Sequence, residues 1–203
     1  SDFALKLFKD YHVVLAMDID EFLLIDPKIK KSLKAYLEQD FNRNSLSALG
    51  VDVAQHPLKE KAIDLNRPFL SQRTYAQVSD RYTKPIIIFK PLRWGSGFHR
   101  IKGKNFTIDS NLYLFHFGLV DLKTIRKKLN SSELNKLGWK RHFDRRLEVY
   151  KRIESKPKQN GDKIFSIARK YFNSNRKWYA WNKPASFKGN CVIKIPKRFQ
   201  RLV

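Results

Sequence analysis

The sequence predicts an α/β domain with a mixed sheet, followed by a basic, mainly helical C-terminal region. Three observations carry that expectation. Up to residue 118, short apolar and β-branched runs alternate with polar connections and one amphipathic stretch. Beyond it the apolar spacing becomes that of helices. Charge steps at the same place: residues 1–120 hold 18 Lys/Arg against 13 Asp/Glu, and residues 121–203 hold 24 against 6. Two regions follow, 1–120 and 121–203.

Taken in order, "YHVVLAM" (11–17) reads as a buried strand of a parallel or mixed sheet, because its apolar run is continuous rather than alternating. It runs into Asp18, Asp20 and Glu21. "IDPKIKKSLKAYLEQDF" (25–41) reads as a helix with Asp26 as N-cap, Pro27 in the first turn and a stripe of Ile29, Leu33, Tyr36 and Leu37. "SLSALGVDVAQ" (45–55) reads as a strand entered through a turn at Gly50, and residues 56–84 as a polar, irregular connection. "PIIIFKPL" (85–92) is a strand, "RWGSGFHRI" (93–101) a loop loosened by glycine, and "NLYLFHFG" (111–118) a strand carrying His116. Three helices follow: "DLKTIRKKLN" (121–130), a long one over 131–153 capped by Ser131 or Ser132, and "GDKIFSIARKYF" (161–172) after the Asn160-Gly161 break. The tail "CVIKIPKRFQRLV" (191–203) suggests a short edge strand limited by Pro196.

With 203 residues, 42% of them apolar and 13% aromatic, the chain can bury a core. A net charge of +23 attracts phosphates, whether on nucleic acid, a nucleotide or an anionic membrane. No apolar run approaches the roughly 20 residues of a membrane span, and no signal peptide is read at the start. The single cysteine, Cys191, fits a reducing compartment. The expected location is cytoplasmic, with peripheral attachment at the inner face of the membrane as an extension of it.

Two carboxylates two residues apart at a strand end can share a hard divalent cation, which in turn can bridge a diphosphate. Crowded without a cation, they would raise one another's pKa. A solvated acidic loop before a capped helix is the alternative at this level. The surroundings add to the first option. "MDIDEFL-x2-DP" (17–27), "FLSQR" (69–73), "TKPIIIFKPLRWGSGFH" (83–99) and "LYLFHF" (112–117) occur in that order, and the set resembles glycosyltransferases of the GT-A fold, in the family-2-like and family-92-like branch.

That resemblance implies a partial, Rossmann-like mixed sheet and a metal-dependent, inverting transfer of a sugar from a nucleoside-diphosphate sugar. The acceptor would be a hydroxyl of a glycan, polysaccharide or lipid-linked chain. It implies that Asp18 faces the ribose or the metal, that Asp20 is the principal ligand of Mn²⁺ or Mg²⁺, and that Glu21 orients the loop or touches the sugar. A downstream histidine completes the set. His99 is favoured because its glycine-rich loop permits close approach, with His116 as the alternative, and each also reads as an ordinary hydrogen-bonded core residue. Trp94 would stack on a sugar ring or pack in the core, and Arg73 and Lys84 would neutralise diphosphate. The general base would come from Glu60, Asp64 or Asp80. Such domains start with a nucleotide-binding half, whereas here only about a dozen residues precede the strand that runs into Asp18. The expectation is therefore a chain that holds metal and diphosphate but grips the base poorly.

The basic region interleaves cations and aromatics in "WKRHFDRR", "RKYFNSNRKWYAW" and "PKRFQR". Such a surface suits single-stranded nucleic acid, an anionic lipid face or plain solvation. No helix-turn-helix, RNP or zinc-finger pattern is present, which places nucleic acid behind lipid. The rival to the enzyme is thus a non-catalytic basic module, its acidic cluster merely structural.

Overall fold

The computed structural model describes residues 2–39, 42–103, 106–119 and 121–202. In chain order it holds α1 (Asp2–Leu7), β1 (Val14–Leu15), β2 (Glu21–Ile25), α2 (Leu33–Leu37), β3 (Ser45–Ala54), α3 (Phe69–Gln72), β4 (Tyr75–Val78), β5 (Lys84–Ile88) and β6 (Ile108–Leu119). Then come α4 (Leu122–Leu129), α5 (Ser132–Lys136), α6 (Lys140–Ser155), β7 (Gln159–Asn160), α7 (Gly161–Ser174), β8 (Arg176–Lys177), β9 (Lys183–Pro184) and β10 (Val192–Lys194). The class is mixed α/β, and among the described residues the pairing is mostly antiparallel and partly parallel, β10 running parallel to β7. Among the described residues no helix is long and apolar enough to cross a membrane.

Contacts divide the chain into two compact units. The first is Ser1–Val51, Ser79–Phe115 and Phe165–Lys188, and the second is Asp52–Val78, His116–Ile164 and Gly189–Val203. This partition follows packing, whereas the 1–120 and 121–203 division follows charge.

In the first unit, β5 lies between β1 and β3, antiparallel to both, with Ile88 opposite Val14 on one side and Ser45 on the other. That central position explains why Ile86, Ile87 and Ile88 are all fully buried rather than alternating. Ile86 and Ile87 pack with Leu23, Tyr36, Leu46, Ala48, Leu112 and Leu114. Ile88 joins a second cluster with Ala4, Val14, Ala16, Trp94 and Ile101.

In the second unit, β10 pairs with β4 on one side and β7 on the other, so the expected edge strand is internal to that trio. Its core gathers Ala54, Tyr75 and Val192 with Ile125 of α4 and Val149, Tyr150 and Ile153 of α6. The α6 residues recur at three- and four-residue spacing, which puts them on one helix face.

Several expectations are corrected. Asp26 does cap, accepting from the Lys28 N–H at 3.0 Å, but it heads a single 3₁₀ turn, Pro27–Ile29. Lys30 at φ 53 ends that turn, and α2 restarts under its own cap, Ser32. Asp40 and Phe41, at the end of the expected helix, lie outside the described residues, as does Val120 at the expected boundary. The 131–153 helix is two helices, because Gly138 at φ 80 takes a left-handed conformation open to glycine. The irregular connection contains α3 and β4. Gly50 sits inside β3 rather than in a turn, and its role is close approach: a Cβ there would lie 2.3 Å from the Tyr82 carbonyl carbon.

Candidate functional site

The acidic cluster does not close a strand that leads to a helix. It forms a turn between two strands. Ile19 and Asp20 are the central residues, the Glu21 N–H donates to the Asp18 carbonyl at 3.0 Å, and the Asp18 N–H donates to Glu21 Oε2 at 3.0 Å. Ile19 is fully exposed at the tip, and Asp20 is half-buried beside it.

Strand alternation separates the three carboxylates. In β2, Glu21 and Leu23 face inward and Phe22 outward, so the Glu21 side chain points into the core while Asp18 stays 47% exposed. A carboxylate turned inward needs a counter-charge. Lys84, the first residue of β5, supplies it. Its ammonium is 2.8 Å from Glu21 Oε2 and 3.3 Å from Asp18 Oδ2, and the Lys84 and Glu21 side chains are both fully buried. Glu21 Oε1 has no hydrogen-bond partner among the described residues. Glu21 is therefore bound to Lys84 and turned into the core. Lys84 is the turn's internal counter-ion, not an open diphosphate clamp.

His99 belongs to the same unit. Its loop is shaped by a bridge between Trp94 and Ile101, by the Gly95 N–H donating to the Arg100 carbonyl at 2.8 Å, and by Gly97 at φ 63. A Cβ on Gly97 would meet His99 Cδ2 at 2.9 Å, so glycine lets the imidazole fold over the loop. Burial pushes the imidazole down to about 4, the positive charges of Lys84, Arg100 and Arg81 push the same way, and Asp18 opposes them. His99 is therefore neutral at physiological pH, and its buried Nδ1 has no hydrogen-bond partner among the described residues. Arg100 donates to the His99 carbonyl, and burial lowers its guanidinium to about 10 against the pull of Asp80, so it stays charged.

The sign of the resulting pH effect is fixed. A histidine whose folded pKa lies below its ordinary 6.5 contributes stability that is complete above 6.5 and is lost as pH falls toward about 4. Thermal melts between pH 7 and 4 should show this loss, and His99→Asn should flatten it. An unchanged slope in that variant would mean that His99 is not the group responsible.

The donor types fit a hard cation, with Asp18 and Asp20 as oxygen donors on one turn and a neutral His99 within electrostatic reach of Asp18. Yet among the described residues no three His, Cys, Asp or Glu side chains converge on one point. That arrangement suits an ion held by one or two carboxylates and completed by phosphate oxygens, as Mg²⁺ commonly is, rather than a cage made only of protein.

The other expected residues have ordinary structural work. Trp94 is 5% exposed and donates its indole N–H to the Pro85 carbonyl at 2.7 Å, so it braces the His99 loop instead of presenting a face to sugar. Arg73, in the second unit, is fully buried and donates to the Lys61 and Gln72 carbonyls, which leaves no open diphosphate contact. Glu60 accepts from the His56 N–H and from the Thr74 N–H and hydroxyl, pinning the long connection. Asp64 accepts from the Asn66 N–H in a local turn. Asp80 alone of the three proposed bases belongs to the first unit, where its charge acts on Arg100 and Lys183.

His116, the alternative metal ligand, falls in the second unit with its Nδ1 2.7 Å from Asp52 Oδ1. Its Nε2 lies 3.3 Å from Arg146, whose Nε donates to His142 at 2.9 Å. This partly buried chain gives both His116 ring nitrogens protein partners.

Residue reading missed Arg81 and Arg100, whose charges act on His99, and Lys183, whose charge meets theirs. Their only signal was membership of a basic chain, which singles out no position. No family model matches the chain, and no curated protein and no solved structure is similar to it.

Proposed function

We propose that the first unit is the cation- and diphosphate-binding part of a metal-dependent, inverting GT-A-type glycosyltransferase. It would act on a nucleoside-diphosphate sugar and a hydroxyl of a glycan or lipid-linked acceptor. The observation that carries this reading is the half-exposed Asp18 on a turn with Asp20, within electrostatic reach of a neutral imidazole on a loop flanked by Arg100. Asp18 and Asp20 would hold Mn²⁺ or Mg²⁺ together with diphosphate oxygens, with His99 adjacent. The ion, when bound, offsets charge on the departing diphosphate. Arg81 and Arg100 add positive field to the same anion, and Asp80 is the base candidate within the unit.

One observation favours the rival, a basic binding module. Lys84 already balances two of the three carboxylates, so the turn has a structural reason to exist without a metal. Calorimetric titration of a nucleoside diphosphate, with and without Mn²⁺, separates the two. The enzyme reading expects Mn²⁺ to raise affinity by about tenfold or more and Asp20→Ala to abolish that gain. Metal-independent binding that persists in Asp20→Ala would leave the module.

A further inference from the structure

In the first unit β8 and β9 form a hairpin whose connection, 178–182, reads WYAWN. Trp178, Tyr179 and Trp181 are 83%, 67% and 45% exposed, three large aromatics on one tip where isolated exposed apolar residues are the norm. The tip is held in shape. Asn182 Nδ2 donates to the Gly103 carbonyl at 2.8 Å, and the Trp181 ring lies against Gly95, where a Cβ would meet it at 3.1 Å. Trp178 and Tyr179 stand edge to face, 6.0 Å apart and 87° between planes.

The neck of the hairpin is unfavourable by itself. Lys177 and Lys183 are directly opposite in the antiparallel pair, where like charges repel. Burial disfavours the Lys183 charge most; Asp80 offsets part of this, and Arg100, Arg81 and Lys177 repel it further. An exposed aromatic tip over a self-repelling cationic neck is relieved by a partner that is anionic at its surface and apolar just beneath.

We propose that this hairpin is a membrane-surface anchor, with Trp178 and Tyr179 entering the interfacial layer of an anionic bilayer while Lys177 and Lys183 meet lipid phosphates. Amphipathic aromatic rings favour that layer, and basic residues next to it are drawn to anionic headgroups. A single nucleic-acid strand fits less well. The perpendicular rings do not offer parallel faces to successive bases, and Gly95 already packs against the Trp181 ring.

The test is partitioning of the full chain onto phosphatidylcholine vesicles with and without phosphatidylglycerol, in which part of the acyl chains are brominated to quench indole emission. Expected are binding to the anionic vesicles with quenching, and loss of most of the quenching in Trp178→Ala/Tyr179→Ala. Lys177→Glu turns the like-charge pair into an attractive one, so it should hold the hairpin at least as well while weakening vesicle binding by roughly fivefold or more. Wild-type quenching in the aromatic double variant, or wild-type partitioning in Lys177→Glu, overturns the proposal. So does protection of the Trp178 indole by an oligodeoxythymidylate but not by vesicles. The assay contains no metal or nucleotide, so it can fail while the transferase reading stands, and the reverse.

Discussion

Replacing Lys84 with methionine lowers the stability of the fold by about 3–5 kcal/mol, the usual cost of leaving one member of a buried ion pair alone. For a chain of this size that is a fall of roughly 6–20 °C in melting temperature. The side chains of Lys84 and Glu21 have no exposure, and their charges are 2.8 Å apart. Methionine keeps the volume of the lysine stem but removes the ammonium, so the Glu21 carboxylate is left buried with only the Asp18 N–H donating to it. The Asp18 contact adds less, since that carboxylate is 47% exposed and water already screens it. Glu21→Leu combined with Lys84→Met removes both charges and should recover most of the loss, because an apolar pair of similar volume often replaces a buried ion pair without penalty. Urea titration of the two variants checks this. A single variant within about 1 kcal/mol of wild type would mean that water reaches Glu21 and that the pair is not buried in solution.

What could be read from the sequence depended on whether the signal was local. The Ile86–Ile88 run was legible because a strand flanked on both sides shows no alternation. The cap at Asp26 was legible too, but the helix expected from it was not, since nothing in the sequence announces a lysine at φ 53. Tyr75–Val78 was hidden because four residues inside a polar stretch give too little periodicity. At the site, the three carboxylates read as one cluster, although the alternation of Glu21, Phe22 and Leu23 already held the reason they part. Lys84 was legible as a site cation but not as the counter-ion of Glu21 and Asp18: it is 66 residues from Asp18, and the pairing of β1 with β5 brings them together. Arg81, Arg100 and Lys183 depend on tertiary contacts in the same way, so the acids of the site and Lys84 were visible in advance and its other cations were not.

Gly50→Ala should cost about 3 kcal/mol, the upper part of the usual range for forcing extra volume into a packed interior, and should disturb the carboxylate turn without touching it. The added methyl would lie 2.3 Å from the Tyr82 carbonyl carbon and 2.5 Å from the Thr83 nitrogen. Both are backbone atoms, so no side chain can swing aside to make room. The segment it would strike is tightly bound. The Gly50 N–H donates to Thr83 Oγ1 at 2.9 Å, the Gly50 carbonyl accepts from the Ser79 N–H at 3.0 Å, and the Thr83 N–H and hydroxyl both return to the Ser79 carbonyl. Thr83 immediately precedes Lys84, so relief of the clash must move the start of β5 and with it the ammonium that holds Glu21 and Asp18. Two measurements should therefore change together. The melting temperature falls by roughly 6–12 °C, and the Mn²⁺-dependent nucleoside diphosphate binding proposed above weakens although Asp18, Asp20 and His99 are intact. If the variant melts within roughly 2 °C of wild type, the Tyr82–Thr83 backbone does not press on β3, and the placement of Lys84 loses its support. If it melts low but binds as before, Lys84 does not position the turn, and Asp18 and Asp20 act independently of the buried pair.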